Sequence, residues 1–272
     1  MGRFYRQLER IGTGTESLMT LFRNFIAFTG AVTAAQISAV CHPRKIRWGN
    51  TVSCMVRCGV EGLPVTILIC FLMGVILAYQ SAIQMERYGA DLLLPVLVGC
   101  SIVRELGPLI VAIVAAGRSG SAFAAEIGTM KISEELNALT TMGLDPIRFL
   151  CVPKFIAMFL MLPLLTVAGD FFGIIGGYCI GAAELDISLD NYLRVTREWV
   201  ALEYVFEGLF KSLVFAQIIA LVGCWCGLRT GNDSIAVGRS TTGAVVNGIL
   251  GIIIADAFLA KIFAVLYEVI GD

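Results

Sequence analysis

Between Glu61 and Glu86 the chain carries no charged side chain. In hydrocarbon only a helix or a closed barrel satisfies its own backbone N–H and C=O groups, and roughly 20 apolar residues suffice for a helix to cross. Residues 62–85 therefore read as a transmembrane helix. The pattern recurs at 92–117, broken by Arg104 and Glu105, and at 155–183, broken by Asp170. It recurs again at 208–228, with Lys211 near its start, and at 240–267, which holds Asp256 and Lys261. Composition agrees: 57% of the residues are hydrophobic and 15% charged, against about 45–50% and 25% in soluble domains. The expected fold class is an all-α integral membrane protein with five transmembrane helices, its termini on opposite sides.

The basic residues orient these spans. With the N-terminus in the cytoplasm, segments 1–48, 118–154 and 229–239 put thirteen Lys/Arg on the cytoplasmic side, and the outer connections hold only Arg87, Arg194 and Arg197. That asymmetry follows the positive-inside rule and puts the C-terminus outside. Residues 17–40 are apolar enough to span, with Arg23 as their one charge, yet basic clusters flank both ends. Leu18, Leu21, Phe22, Phe25 and Ile26 recur at helical spacing opposite Thr20, Arg23 and Asn24. We read an N-terminal amphipathic helix in the interface, with a sixth span as the alternative. The organisation is then 1–48 as a cytoplasmic or interfacial segment and 49–272 as one membrane domain. Met1 to Thr15 shows no secretory h-region, and position 6 is Arg where a myristoylation pattern needs Ser or Thr.

Several functions are excluded or disfavoured. A net charge of −1 argues against nucleic-acid binding by bulk electrostatics, and a lone histidine, His42, against a multi-histidine metal site. The nine cysteines include no C-x-x-C pair and lie in or beside apolar runs, where they pack as small hydrophobes. The Gly117-Arg118-Ser119-Gly120-Ser121 stretch lacks the lysine of a P-loop, and no G-x-S-x-G elbow occurs. No catalytic residue, metal site or cofactor is expected in this chain.

What remains is a set of charges in apolar spans. Arg104 and Glu105 have equal uncharged flanks in 92–117, which places them near mid-bilayer. Arg104, Glu105, Lys211 and Asp256 sum to zero, as a mutually neutralising cluster requires. Such a cluster either ties helices together or senses a conformational change. Gly173, Gly177 and Gly181, with Ala216, Ala220 and Gly223, mark faces for close helix packing. The connection 118–154 reads as holding a cytoplasmic helix over 124–139, capped by Ser119 or Ser121 and ended before Pro146. The acidic and aromatic connection 184–207 reads as a helix along the outer interface.

Arg104-Glu105-Leu106-Gly107-Pro108, Ala116-Gly117-Arg118-Ser119-Gly120-Ser121-Ala122, Ala125-Glu126-Ile127-Gly128-Thr129-Met130, Asp145-Pro146 and Leu162-Pro163-Leu164-Leu165 occur in that order. Together with Lys211-Ser212 and Ala255-Asp256, the set strongly resembles MlaE/YrbE-type permeases of MCE-family lipid transporters, over roughly residues 45–268. The resemblance implies a homodimeric, non-catalytic ABC-transporter permease in the inner membrane of Gram-negative bacteria. It would move phospholipid to or from a periplasmic hexamer of MCE-domain subunits and support outer-membrane lipid asymmetry. Cytoplasmic ATPase subunits, in some systems with a STAS-domain protein, would bind the ATP and Mg. By the same resemblance Leu77, Gln84, Met85 and Tyr88 line the lipid cavity, although Gln84 is polar where an apolar residue is expected. Helix 124–139, with Glu126, Gly128, Met130, Lys131 and Glu134, corresponds to the helix that couples to the ATPase. The alternatives from the residues alone are an ion- or proton-coupled secondary transporter using Glu105 and Asp256, and a scaffold for other membrane proteins.

Overall fold

The computed structural model describes residues 2–41, 47–88 and 93–270, and it is helical almost throughout. Helix α1 (Gly2–Cys41) precedes α2 (Trp48–Met55), α3 (Leu63–Tyr88), α4 (Leu94–Ser101), α5 (Gly107–Ala115) and α6 (Ser121–Ile132). Then follow α7 (Glu135–Thr141), α8 (Val152–Glu184), α9 (Leu189–Trp199), α10 (Leu202–Leu228) and α11 (Ser234–Ile270). π-helical turns at Val56–Val60, Ile102–Leu106, Ala116–Gly120 and Ile147–Cys151 splice several of these into longer rods. Among the described residues five rods are long and apolar enough to cross a membrane: Trp48–Met85, Leu94–Ile132, Ile147–Glu184, Leu202–Leu228 and Ser234–Val269. The expected span count and all-α class hold. The expected start of the second span, Leu92, lies outside the described residues.

The second rod does not stop at Gly117. It runs on through the Gly-Arg-Ser-Gly stretch to Ile132, so Ser119 and Ser121 are interior positions and cap nothing. The Ser121 hydroxyl donates back to the carbonyls of Gly117 and Arg118, the latter at 3.0 Å, which satisfies it without ending the helix. Helix 124–139 is likewise two helices. The chain turns between Ile132 and Glu135, with Glu134 in the left-handed region at φ 59°.

Small residues set the tightest crossing, that of α3 on α8. A Cβ on Gly74 would lie 2.0 Å from the Gly173 carbonyl oxygen, and one on Gly176 would lie 2.2 Å from that of Phe71. Without side chains between them the two backbones touch, which is how helices gain dispersion contact where lipid removes the hydrophobic drive. The main core gathers Phe123, Ile127, Met158, Leu162, Phe215 and Ile219 from α6, α8 and α10. A smaller core around Ala78, Leu94, Val98 and Tyr192 seats α9 against α3 and α4. There burial pushes the Tyr192 phenol above its ordinary pKa, and its hydroxyl donates to the Ile174 carbonyl at 3.3 Å. Ser188 caps α9, accepting from the Asn191 N–H, as the helix expected in 184–207 requires.

Helix α1 docks on the bundle through Phe28, Val32 and Ala35. The Phe25 and Phe28 rings meet Trp225 of α10 at 5.4 and 5.3 Å between centroids. Leu21, Phe22 and Ile26 of the expected apolar stripe stay exposed.

Candidate functional site

The site begins with a proline. In an α-helix the Arg104 carbonyl would accept from the N–H of residue 108, and Pro108 has none. The chain adopts a π turn at Ile102–Leu106 instead, in which the Gly107 N–H reaches back to the Ile102 carbonyl. Such turns insert a residue into a helix and recur at functional sites. This one carries Arg104 and Glu105. Glycines make room around it: a Cβ on Gly208 of α10 would lie 2.3 Å from the Val103 carbonyl oxygen.

Lys211 of α10 is fully buried at the centre. Its ammonium makes a close ion pair with Glu105 and lies 3.3 Å from Glu207 Oε1, 3.8 Å from Asp256 Oδ1 and 3.3 Å from the Arg104 carbonyl oxygen. Glu207, one turn earlier on α10 and also fully buried, takes Arg104 Nε at 3.0 Å. The Arg104 guanidinium lies beside the edge-on pair of Tyr204 and Tyr267 rings, 5.5 Å from each centroid. Three apolar rods thus share one ionic network. Its members offset a desolvation cost that none could bear alone. Arg104 and Glu105 side chains stay 36% exposed, so the network has an open side.

The structure brings together Arg104, Glu105, Lys211 and Asp256 and adds Glu207, which sequence reasoning assigned to a connection. The signal was present: Glu207 and Lys211 have the i, i+4 spacing of a helical ion pair. With Glu207 the five side chains carry a formal charge of −1, where four summed to zero. Arg104 falls in the first third of the Leu94–Ile132 rod because that rod continues well past Gly117. Asp170 stays apart. It packs against Gly107, where a Cβ would lie 1.8 Å from its Oδ1, and that oxygen is buried without a hydrogen-bond partner among the described residues.

The other predicted site residues lie elsewhere. Leu77, Gln84, Met85 and Tyr88 all belong to α3. Leu77 packs against the smaller core, Met85 is half-buried and Gln84 is exposed, while the Tyr88 side chain lies outside the described residues. Of the five residues expected on the coupling helix, four face the protein. Glu126 pairs with buried Lys154 at 2.8 Å and stands 3.9 Å from Arg57. Gly128 is pressed against Thr230, Met130 packs on the main core, and Lys131 donates to the Leu228 carbonyl at 2.9 Å. Only Glu134 is exposed, in the turn before α7, where it accepts from Asn137. The surface beyond it, from Glu135 through Thr141, Met142 and Leu144, is largely open, with Leu136 and Leu139 anchoring α7 beneath. Among the described residues no group of three or more His, Cys, Asp or Glu side chains is placed to hold a metal ion.

Comparison with known proteins identifies relatives of this chain. The family model described as Permease MlaE matches residues 51–262. A probable ABC transporter permease protein of Synechocystis is 41% identical over 216 residues, covering 79% of this chain and 82% of its own. One from Rickettsia prowazekii is 38% identical over 205 residues, covering 75% and 79%. The intermembrane phospholipid transport system permease protein MlaE of Haemophilus influenzae is 31% identical, again over 205 residues, covering 75% and 78%.

Proposed function

The chain belongs to the MlaE permease family of ABC transporters, and we propose that it carries phospholipid between the inner membrane of a Gram-negative bacterium and a periplasmic MCE-domain hexamer. Two copies would enclose the lipid path, and each would dock a cytoplasmic ATPase that binds ATP and Mg, with a STAS-domain protein where one is present. Outer-membrane lipid asymmetry would depend on this traffic. The distribution of basic side chains supports an N-terminus and α7 in the cytoplasm and a C-terminus in the periplasm.

The observation that carries this reading is the network around Lys211. It ties three spans and has one open side, while apolar residues dominate the spans around it, as a path for an amphiphile requires. The exposed surface from Glu134 to Leu144 supplies a docking face for the ATPase, displaced from the α6 residues that the resemblance suggested. Reconstitution tests the reading. Vesicles holding the chain with its ATPase should exchange labelled phospholipid with an MCE-domain ring only when ATP is hydrolysed.

A second reading has one observation of its own. Glu105, Glu207 and Asp256 set three carboxylates against two cations, leaving room for one exchangeable proton, as a proton-coupled carrier would need. Lipid or solute movement by the chain alone, abolished by a protonophore and indifferent to ATP, would select it.

A further inference from the structure

Two cavities follow one another along the seam where α1 meets α8. The first, about 500 Å³, lies between α1, α8 and α10 and is walled by Val32, Phe155, Ile156, Phe159, Ile218 and Leu221. Two polar side chains in it are already engaged: Gln36 donates to Gln217 at 3.0 Å, and Thr29 donates to the Phe25 carbonyl at 2.9 Å. The second, about 410 Å³, continues from Ala35 and Ala39 on α1 and from Val152 and Pro153 on α8. From Thr29 to Ala39 helix α1 rises about 15 Å, so the two lie end to end along it as a trough of two segments.

The far end of the trough is cationic. Arg47 lies over the Phe149 ring, 4.1 Å from its centroid, and pairs with no carboxylate among the described residues. Arg148 stands 3.7 Å from Asp145, whose other oxygen accepts from the Ile147 N–H. Two guanidinium groups thus share this end with one partly engaged carboxylate, at the mouth of a predominantly apolar slot.

We propose that the α1–α8 seam holds one glycerophospholipid with a net-anionic headgroup, its phosphate at Arg47 and Arg148 and an acyl chain in the cleft beyond. Each cavity is within the size range of small-molecule sites. Basic pockets beside membrane helices select anionic headgroups, and a guanidinium fork suits a phosphate. The apolar half commits the occupant to a lipid, since a soluble phosphate would leave that half unfilled. Such a lipid would bind α1 to the bundle from a position that shares no side chain with the Lys211 network, and the proposal does not depend on what the protein transports.

Native mass spectrometry of the full chain in mild detergent tests it, with phosphatidylglycerol and phosphatidylethanolamine of matched chains supplied equally. The wild type should keep one phosphatidylglycerol per chain in preference, and excess inorganic phosphate should not displace it. Arg47→Gln with Arg148→Gln should lower that preference roughly tenfold or more. Ile156→Trp, which fills the apolar half, should reduce retention of both lipids. The arginine pair is exposed, so it carries the test alone should Ile156→Trp fail to fold. An unchanged preference in the arginine variant overturns the proposal, as does a wild type without preference. Displacement by phosphate overturns it in favour of a soluble anion.

Discussion

The Lys211 ammonium lies 3.3 Å from the backbone carbonyl oxygen of Arg104, a carbonyl whose α-helical donor would have been the nitrogen of Pro108. A sequence-local defect in one span is thus met by a side chain from another. The same ammonium neutralises Glu105, so helix geometry and charge balance at this point are one arrangement.

Breaking that arrangement should cost the bundle a large share of its stability. Lys211→Met leaves Glu207 buried with Arg104 alone and Asp256 without a cation, and loss of one partner in a buried pair costs about 3–5 kcal/mol. Thermal unfolding in detergent should register the drop. Adding Glu105→Gln should recover part of it, and a double variant no better than the single one would contradict the network as described.

Glu126→Ala should destabilise the protein in the absence of any partner, because it strands Lys154, whose side chain is 3% exposed. Met142→Asp, on an open surface, should leave the melting temperature within a degree or two while weakening stimulation of ATP hydrolysis in the reconstituted complex. The reverse pattern would return the docking face to α6.

Gly74→Ala should be felt strongly for a single methyl. Its Cβ has no room at the Gly173 carbonyl, and overpacking of this kind typically costs about 1–3 kcal/mol. Gly30→Ala makes the matching control, since nothing lies within 4 Å of a Cβ there. It should stabilise α1 by up to about 1 kcal/mol through helix propensity. Equal melting shifts for the two would mean that α3 and α8 do not cross at Gly74.

Glu134→Gly should raise stability by roughly 1 kcal/mol, because the residue holds φ 59° with a Cβ that the left-handed region disfavours. A lower melting temperature would mean that its contact with Asn137 outweighs the strain.

The spans were legible because lack of charge over a bilayer's width has a single structural solution, and Arg104, Glu105, Lys211 and Asp256 stood out against it. Glu207 did not, because it stands where α10 was still read as a connection. Gly117 to Ser121 read as a break because glycine and serine usually punctuate helices, whereas a π turn absorbs them here without interrupting the rod. The turn after Ile132 had the opposite problem: it holds neither glycine nor proline, and its left-handed residue is a glutamate. Which face of α6 meets the bundle could not be read from its pattern, since Lys131 and Glu126 look like solvent-facing charges until Leu228 and Lys154 are placed beside them.

The contact of Gly74 with Gly173 joins the first span to the third, with the whole of the second synthesised between them. During translation α3 therefore enters the bilayer well before the backbone it is shaped to meet. Its face around Gly74 must wait against lipid or an insertion factor until α8 arrives. Biogenesis of this bundle has a built-in delay at that point, and a chain truncated before residue 173 would have every residue of its first span without the backbone that Gly74 meets.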